Sequence, residues 1–197
     1  MLKRSMICLG LTVLVTAVLV GGSLLRTTLA EADVPVYRTV AETSHALADG
    51  CETTEEKAMA VYRYLCGTMD YDTARRDAIL QQKAPYATKD PEQTLRTGKG
   101  ICVDIALLYG ALMQEAGVPV KLVRGYCGTE CHAWNRVYDS EKKCWLDVDV
   151  TMHLEDGKFQ YDWPSYEGDS YIPMEEMLYT NPRTVAENLY NCMAYGK

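Results

Sequence analysis

The change of hydrophobic period at Gly117-Val118-Pro119 constrains the fold of this chain most strongly. Before it, residues 101–116 place apolar side chains at helical spacing, in a stripe formed by Ile101, Ile105, Leu108 and Leu112. Gly117 is a common residue just past a helix, and Pro119 cannot continue one. After Pro119 the pattern repeats every two residues, as in a strand: Val120, Leu122 and Arg124 alternate with Lys121, Val123 and Gly125. Helices before and strands after this point predict an α+β fold.

The rest of the chain fits the same division. Thr53 and Glu56 have the spacing of a helix N-terminal capping box. Predicted helices cover 36–48, 57–69, 72–82 and 91–96, with closing helices at 173–179 and 183–192. Predicted strands cover 133–138, 144–151 and 158–162. No internal repeat or second folded domain is visible, so we expect one domain over residues 33–197.

The first 32 residues have the pattern of a targeting segment. Lys3 and Arg4 precede a run without charge from 6 to 25, and Ala30-Glu31-Ala32 has the small-residue spacing of a cleavage site. The uncharged run is long enough to remain as a membrane anchor through residues 1–25. Both alternatives predict a protein that is secreted or anchored outside the cytoplasmic membrane.

Net charge and cysteine count narrow the possible functions. The formal charge of −7 argues against a nucleic-acid partner, because such binding depends on clustered Lys and Arg. Seven of the eight cysteines lie after the targeting segment. An odd number in an exported chain leaves at least one thiol unpaired within that chain. A single reactive thiol with up to three bridges would fit, as would a fully reduced chain; Cys127 and Cys131 are close enough in sequence to bridge.

Cys102 stands where a reactive thiol would be expected. It follows Gly98-Lys99-Gly100 and begins the apolar helix, where free backbone N–H groups and partial positive charge stabilise a thiolate. The same N–H groups can bind an oxyanion. Taken alone, however, an isolated cysteine is more often a buried structural residue.

His132 supplies the partner that such a thiol needs. The chain has three histidines, and His132 begins a predicted strand. His45 lies on a predicted surface helix, and His153 follows the last strand of the predicted hairpin, so neither is the first choice. With Ser140-Glu141 as a two-residue hairpin loop, Asp139 faces Lys142 and His132 faces Asp149. Directly opposed residues share one face of a sheet, and a slip by one residue would separate them.

A carboxylate beside His132 would orient the imidazole and stabilise its charged form. Asp149 is the first choice for this orienter. Asp147 lies on the same face and is the second choice, although the register places it opposite Trp134. The catalytic residues predicted in this way are Cys102, His132 and Asp149.

These motifs together resemble the transglutaminase-like superfamily. Gly100-Ile101-Cys102-Val103-Asp104 resembles its nucleophile segment, and His132-Ala133-Trp134 its histidine strand. The run Trp145 to Thr151 resembles its Trp-x-x-x-Asp-Pro-Thr ending, with Val150 in place of Pro. The resemblance implies a papain-like Cys-His-Asp site in an α+β fold, with helices packed on a mainly antiparallel sheet, and no cofactor. It also implies cleavage or transfer of amide bonds through an acyl-enzyme. A small exported chain favours hydrolysis over cross-linking, with a protein, peptide or cell-wall amide as substrate.

Two other functions fit parts of the pattern. Cys127, Cys131, His132 and Cys144 supply side chains that zinc would accept, although at an uncommon spacing. A non-catalytic binding module with the same fold could use the tyrosine-rich segment 161–171 as its contact surface. The same segment could instead lie over the cleft or serve only in packing.

Overall fold

The computed structural model of the protein describes residues 39–156 and 171–180. The helices in this part are α1 (Val40–Ala48), α2 (Thr54–Thr68), α3 (Thr73–Leu80), α4 (Pro91–Thr97), α5 (Cys102–Glu115) and α6 (Val150–Asp156). The strands are β1 (Asp70–Tyr71), β2 (Lys99–Gly100), β3 (Val120–Cys127), β4 (Glu130–Asp139), β5 (Cys144–Val148) and β6 (Tyr171–Leu178). The targeting segment 1–32, the predicted strand 158–162 and the predicted helix 183–192 lie outside the described residues.

The main sheet has four strands in the order β5-β4-β3-β6, and every neighbouring pair is antiparallel. A separate two-stranded parallel sheet joins β1 to β2. Within residues 39–156, five helices precede the main sheet, and the predicted α+β arrangement is confirmed. None of the helices in the described ranges combines the length and apolarity that crossing a bilayer requires.

Helix α5 lies at the centre of the hydrophobic core. Every residue from Val103 to Met113 is buried, so this helix packs on several sides rather than along a single stripe. Its sheet-facing contacts include the buried Asn135, whose Nδ2 donates to the Ala106 carbonyl oxygen at 3.1 Å. Because α5 packs against so much of the molecule, the position of its first residue is fixed by the core.

The helix ends follow the sequence signals closely. The Thr53 hydroxyl accepts from the Glu56 backbone N–H, and the Glu56 carboxylate accepts from the Thr53 backbone N–H, so the predicted capping box of α2 is present. Helix α4 ends at Gly98 in the left-handed conformation, with φ of 60°. Such a φ favours glycine, because a side chain there would be strained.

Two predicted elements at the C-terminal side are wrong. Residues 173–179 were predicted to be a helix, but 171–178 form the edge strand β6, paired to β3. The predicted strand 144–151 ends at Val148, and helix α6 begins at Val150. The residue between the two elements is Asp149, whose side chain caps the new helix.

The predicted register of the β4–β5 hairpin is wrong by two residues. Asp139 pairs with Cys144 rather than Lys142, so the loop contains residues 140–143 instead of two residues. The Asp139 carboxylate causes this, because it accepts hydrogen bonds from the backbone N–H groups of Glu141 (2.9 Å) and Lys142 (2.8 Å). A shift of two positions keeps every side chain on its predicted face, so the expected neighbourhood of His132 and Asp149 survives.

Candidate active site

Cys102 is the first residue of α5 and is partly buried. The helix start is held by Asp104, which is fully buried and accepts from the backbone N–H of Ile101 at 3.0 Å. The other oxygen of Asp104 accepts from the Lys89 N–H at 2.8 Å, and the Arg75 guanidinium pairs with the same carboxylate. The position of Cys102 is therefore fixed from two sides, by the helix core and by the loop before α4.

Gly100 occupies a tightly packed position behind the start of α5. A Cβ at this position would lie 2.9 Å from the Cβ of Asp104 and 3.3 Å from side-chain carbons of Ile105 and Thr94. Gly100 therefore allows close packing behind the helix start rather than access for a substrate. Gly98 is the glycine that turns the chain.

The structure brings His132 and Asp149 together. The Nε2 atom of His132 lies 2.6 Å from Oδ2 of Asp149, and both side chains are buried, with 8% and 1% of their surface exposed. Because an ionised carboxylate only accepts hydrogen bonds, this contact fixes the proton on Nε2. The orienting role predicted for Asp149 thus has the geometry that it requires.

His132 also contacts Cys102. Burial lowers the pKa of His132, but the Asp149 carboxylate and the hydrogen bond and charge of Cys102 outweigh it and hold that pKa well above its usual range. The imidazole is therefore held in its charged form beside the thiol. A charged imidazole is the partner that stabilises a thiolate at neutral pH.

Asp147, the alternative orienter, is used elsewhere. Its Oδ1 accepts from Trp134 Nε1 and from Arg136 Nε, each at 2.8 Å. Its second oxygen accepts from Arg136 Nη2 at 3.3 Å. Asp147 therefore holds the indole that stacks near His132, with ring centroids 6.0 Å apart, rather than the imidazole itself.

Three tyrosines that the sequence reasoning did not assign lie around this site. The Tyr171 hydroxyl donates to Asp149 Oδ2 at 2.8 Å. Tyr71 is placed next to Gly100 by the β1–β2 pair, and its hydroxyl is in hydrogen-bonding contact with the Cys102 backbone. Burial and then the charge of Cys102 raise the pKa of both Tyr71 and Tyr86, so these hydroxyls stay protonated. The tyrosine-rich segment 161–171 was the available sequence signal; it ends at Tyr171 but did not indicate the contact with Asp149.

An ion pair closes one side of the site. Arg76 on α3 pairs with Glu155 on α6, with 3.0 Å between Nη1 and Oε1. The Arg76 guanidinium also lies over the Tyr71 ring, 5.8 Å from its centroid. Burial raises the pKa of Glu155, whereas Arg76 and His132 lower it. The boundary of the site near Tyr71 is therefore charged as well as aromatic.

The predicted zinc ligands are not brought together. Cys127 pairs with Glu130 and Cys131 with Tyr126, so the two cysteines lie on opposite faces of the β3–β4 hairpin and do not bridge. Cys144 lies at the far end of β4, opposite Asp139. Within 39–156 and 171–180, no three His, Cys, Asp or Glu side chains are grouped as metal ligands.

Comparison with protein families identifies the fold. A family model described as the transglutaminase-like superfamily matches residues 41–150, more than half of the 197 residues. The chain belongs to the transglutaminase-like superfamily. The matched range contains Cys102, His132 and Asp149 but ends before β6. The comparison with curated proteins found no match.

Solved structures of this fold are similar to the transglutaminase-like chain at low identity. A structure described as a TGase has a TM-score of 0.51 and 20% identity, over 74% of this chain and 41% of that one. A Cytophaga hutchinsonii protein provisionally assigned as a cysteine protease has a TM-score of 0.48 and 15% identity, over 68% of this chain and 48% of its own. LapG of Legionella pneumophila has a TM-score of 0.43 and 15% identity, over 76% of this chain and 94% of LapG. This chain thus spans less than half of each of the first two proteins, and the first of them confirms the transglutaminase-like fold.

Proposed function

We propose that the protein is an exported thiol enzyme that cleaves amide bonds through an acyl-enzyme on Cys102. The observation that carries this proposal is the buried contact between His132 and Asp149 beside a cysteine at a helix N-terminus. The N-terminal targeting pattern supports export. The superfamily supports thiol chemistry in general, and the substrate is expected to be a protein, peptide or cell-wall amide.

In the first half of the reaction, the Cys102 thiolate attacks the carbonyl carbon of the amide. Negative charge moves to the carbonyl oxygen, to which backbone N–H groups in the first turn of α5 can donate. As the carbon–nitrogen bond breaks, the charged His132 gives its proton to the departing amine. Cys102 then carries the acyl group as a thioester, and His132 is neutral.

In the second half, neutral His132 removes a proton from water as the water oxygen attacks the thioester. The carboxylic acid leaves, and the proton returns the Cys102–His132 pair to its starting state. Transfer to an amine would use the same steps with nitrogen in place of water. Hydrolysis is proposed because water is abundant, whereas transfer requires a second site that concentrates the amine.

The first test measures the reactivity of Cys102 without a substrate. Iodoacetamide is added at about pH 6, where ordinary thiols are protonated, and alkylation of each cysteine is followed by peptide mass spectrometry. Cys102 should react faster than Cys144, although Cys144 is exposed and Cys102 only partly so. Cys66 is a slow internal reference, because burial raises its pKa to about 11. Reaction of Cys102 no faster than Cys144 would contradict the proposal.

The second test measures turnover. Labelled peptides and cell-wall fragments are incubated with the wild type, Cys102→Ala and the matched control Cys144→Ala, with and without a fluorescent primary amine. We expect cleavage by the wild type and Cys144→Ala, and loss of it in Cys102→Ala. Full activity of Cys102→Ala would refute the role of Cys102. Incorporation of the amine in preference to hydrolysis would refute the hydrolytic assignment alone.

A further inference from the structure

Tyr171 shares one carboxylate oxygen with the histidine of the site. Its hydroxyl donates to Asp149 Oδ2 at 2.8 Å, and His132 Nε2 lies 2.6 Å from the same oxygen. Tyr171 has 4% of its surface exposed, so this hydrogen bond is formed away from bulk water. A buried hydrogen bond to a charged group is among the stronger ones in proteins.

The other oxygen of Asp149 is occupied too. Oδ1 accepts from the backbone N–H of Thr151 at 2.9 Å and of Met152 at 3.3 Å, which caps helix α6. Each oxygen therefore has two donors, and the carboxylate cannot rotate without losing hydrogen bonds. Without Tyr171, Oδ2 would be held by His132 alone, which is the group that it has to orient.

The Tyr171 ring restrains the imidazole directly. It makes edge-on contacts with the His132 ring (5.9 Å between centroids, 65° between planes) and with the Trp134 ring (5.2 Å, 78°). Trp134 in turn lies nearly parallel to His132, at 18°. The imidazole is thus in contact with two large aromatic rings, which limit its tilt and exclude water from the Nε2 side.

The approach of β6 to the site depends on a glycine in β3. Gly125 lies opposite His132 on one side and Pro173 on the other. A Cβ at this position would collide with the Ile172 carbonyl oxygen and would lie 2.9 Å from the Trp134 ring. The lack of a side chain at Gly125 therefore lets β6 bring Tyr171 against Asp149.

We propose that Tyr171 is a positioning residue of the active site, which fixes the Asp149 carboxylate and, through it, the His132 imidazole. This inference rests on the proposed function and extends it to a residue outside the matched family range of 41–150. Tyr171 is not proposed to touch the substrate. Its role is to keep the proton-transferring atom of His132 in place during the reaction.

The test compares two single hydroxyl deletions in the full-length protein. Tyr171→Phe removes the hydroxyl that binds Asp149. Tyr179→Phe is the matched control, because Tyr179 is also 4% exposed and its hydroxyl donates to the Leu107 carbonyl oxygen at 2.9 Å, away from the site. Thermal unfolding of both variants corrects for the common cost of losing a buried hydrogen bond.

For Tyr171→Phe we expect kcat to fall about tenfold with KM unchanged, while Tyr179→Phe keeps the wild-type kcat. Proton NMR gives a second measurement that needs no substrate. The Nε2 proton of His132, shared with Asp149, should give a far-downfield resonance in the wild type and in Tyr179→Phe. That resonance should be broadened or lost in Tyr171→Phe.

Three results would overturn the inference: an unchanged kcat in Tyr171→Phe, an equal fall in both variants, or a rise in KM at constant kcat, which would instead indicate substrate contact. An unchanged His132 resonance in Tyr171→Phe would overturn it as well. The NMR result separates this inference from the proposed function. If Cys102→Ala were fully active, the effect of Tyr171 on the His132 proton would still be measurable.

Discussion

Replacing Asp149 by Asn removes the carboxylate that accepts from His132 but keeps the cap of helix α6. Asn has nearly the same shape and is as good an N-cap as Asp, so the hydrogen bonds from Thr151 and Met152 to this side chain can be retained. What disappears is the negatively charged acceptor beside His132 Nε2, because the Asn amide nitrogen that replaces Oδ2 only donates hydrogen bonds. A hydrogen bond to a charged group contributes about 1.5–3 kcal/mol.

The free energy of this hydrogen bond sets how far the proton equilibrium between Cys102 and His132 should shift in Asp149→Asn. The charge of Asp149 is a major cause of the raised pKa of His132, so Asp149→Asn lowers that pKa. At about 1.4 kcal/mol per tenfold change, the equilibrium that moves the Cys102 proton to His132 weakens by about 10- to 100-fold. The change is a loss and not a gain of thiolate, because a less basic imidazole holds the proton less well at any given pH.

The assay is the rate of Cys102 alkylation by iodoacetamide at about pH 6, measured by peptide mass spectrometry. Asp149→Asn should react about 10- to 100-fold more slowly than the wild type. Asp147→Asn is the matched control, since Asp147 binds Trp134 and Arg136 rather than His132. Wild-type alkylation in Asp149→Asn, or an equal loss in Asp147→Asn, would refute the assignment of Asp149 as orienter.

Two further substitutions test how the site is held. Asp104→Ala should lower the free energy of unfolding by about 3 kcal/mol, measured by urea denaturation, because it leaves Arg75 and two backbone N–H groups without their acceptor. The half-buried pair of Asp77 and Arg76 provides the control, and Asp77→Ala should cost less than about 1 kcal/mol. Equal losses in the two variants would contradict this account of Asp104. Gly125→Ala should cost about 1–3 kcal/mol and also reduce kcat, because its Cβ displaces β6 and with it Tyr171. Gly67→Ala, where a Cβ meets open space, should be neutral or stabilising, and full activity of Gly125→Ala would show that β6 can move without loss of function.

The grouping of His132 with Asp149 was predictable from the sequence because it depends on parity rather than on exact register. The real loop is two residues longer than predicted, since Asp139 accepts hydrogen bonds from the loop backbone. An even change in loop length leaves each side chain on the same face of the sheet. The predicted grouping is therefore correct although the predicted loop is too short. An odd change in loop length would have placed His132 and Asp149 on opposite faces.

The junction at Asp149 shows where strand periodicity stops being informative. Val148 and Val150 suggested a continuing strand, but Asp149 is an N-cap and Val150 is the first residue of α6. The first helical position is one where Pro is favoured, which explains the Pro of the superfamily motif; Val150 fills the position without being required there. Caps were recognised at Thr53 but not here, because the flanking valines favoured a strand.

Strand β6 could not be recognised locally. Residues 173–179 include Met174-Glu175-Glu176-Met177, which has high helix propensity. Pairing with β3 overrides that propensity, and Lys121 contributes by forming an ion pair with Glu176 at 2.9 Å. The contact of Tyr171 with Asp149 depends on this pairing between segments far apart in sequence, so no sequence motif indicated it.

Two segments that are separate in the sequence donate hydrogen bonds to Asp149. The chain leaves this residue into α6 and returns to it at Tyr171, 22 residues later. Asp149 therefore joins the start of α6 to the edge strand β6, one through each of its two carboxylate oxygens.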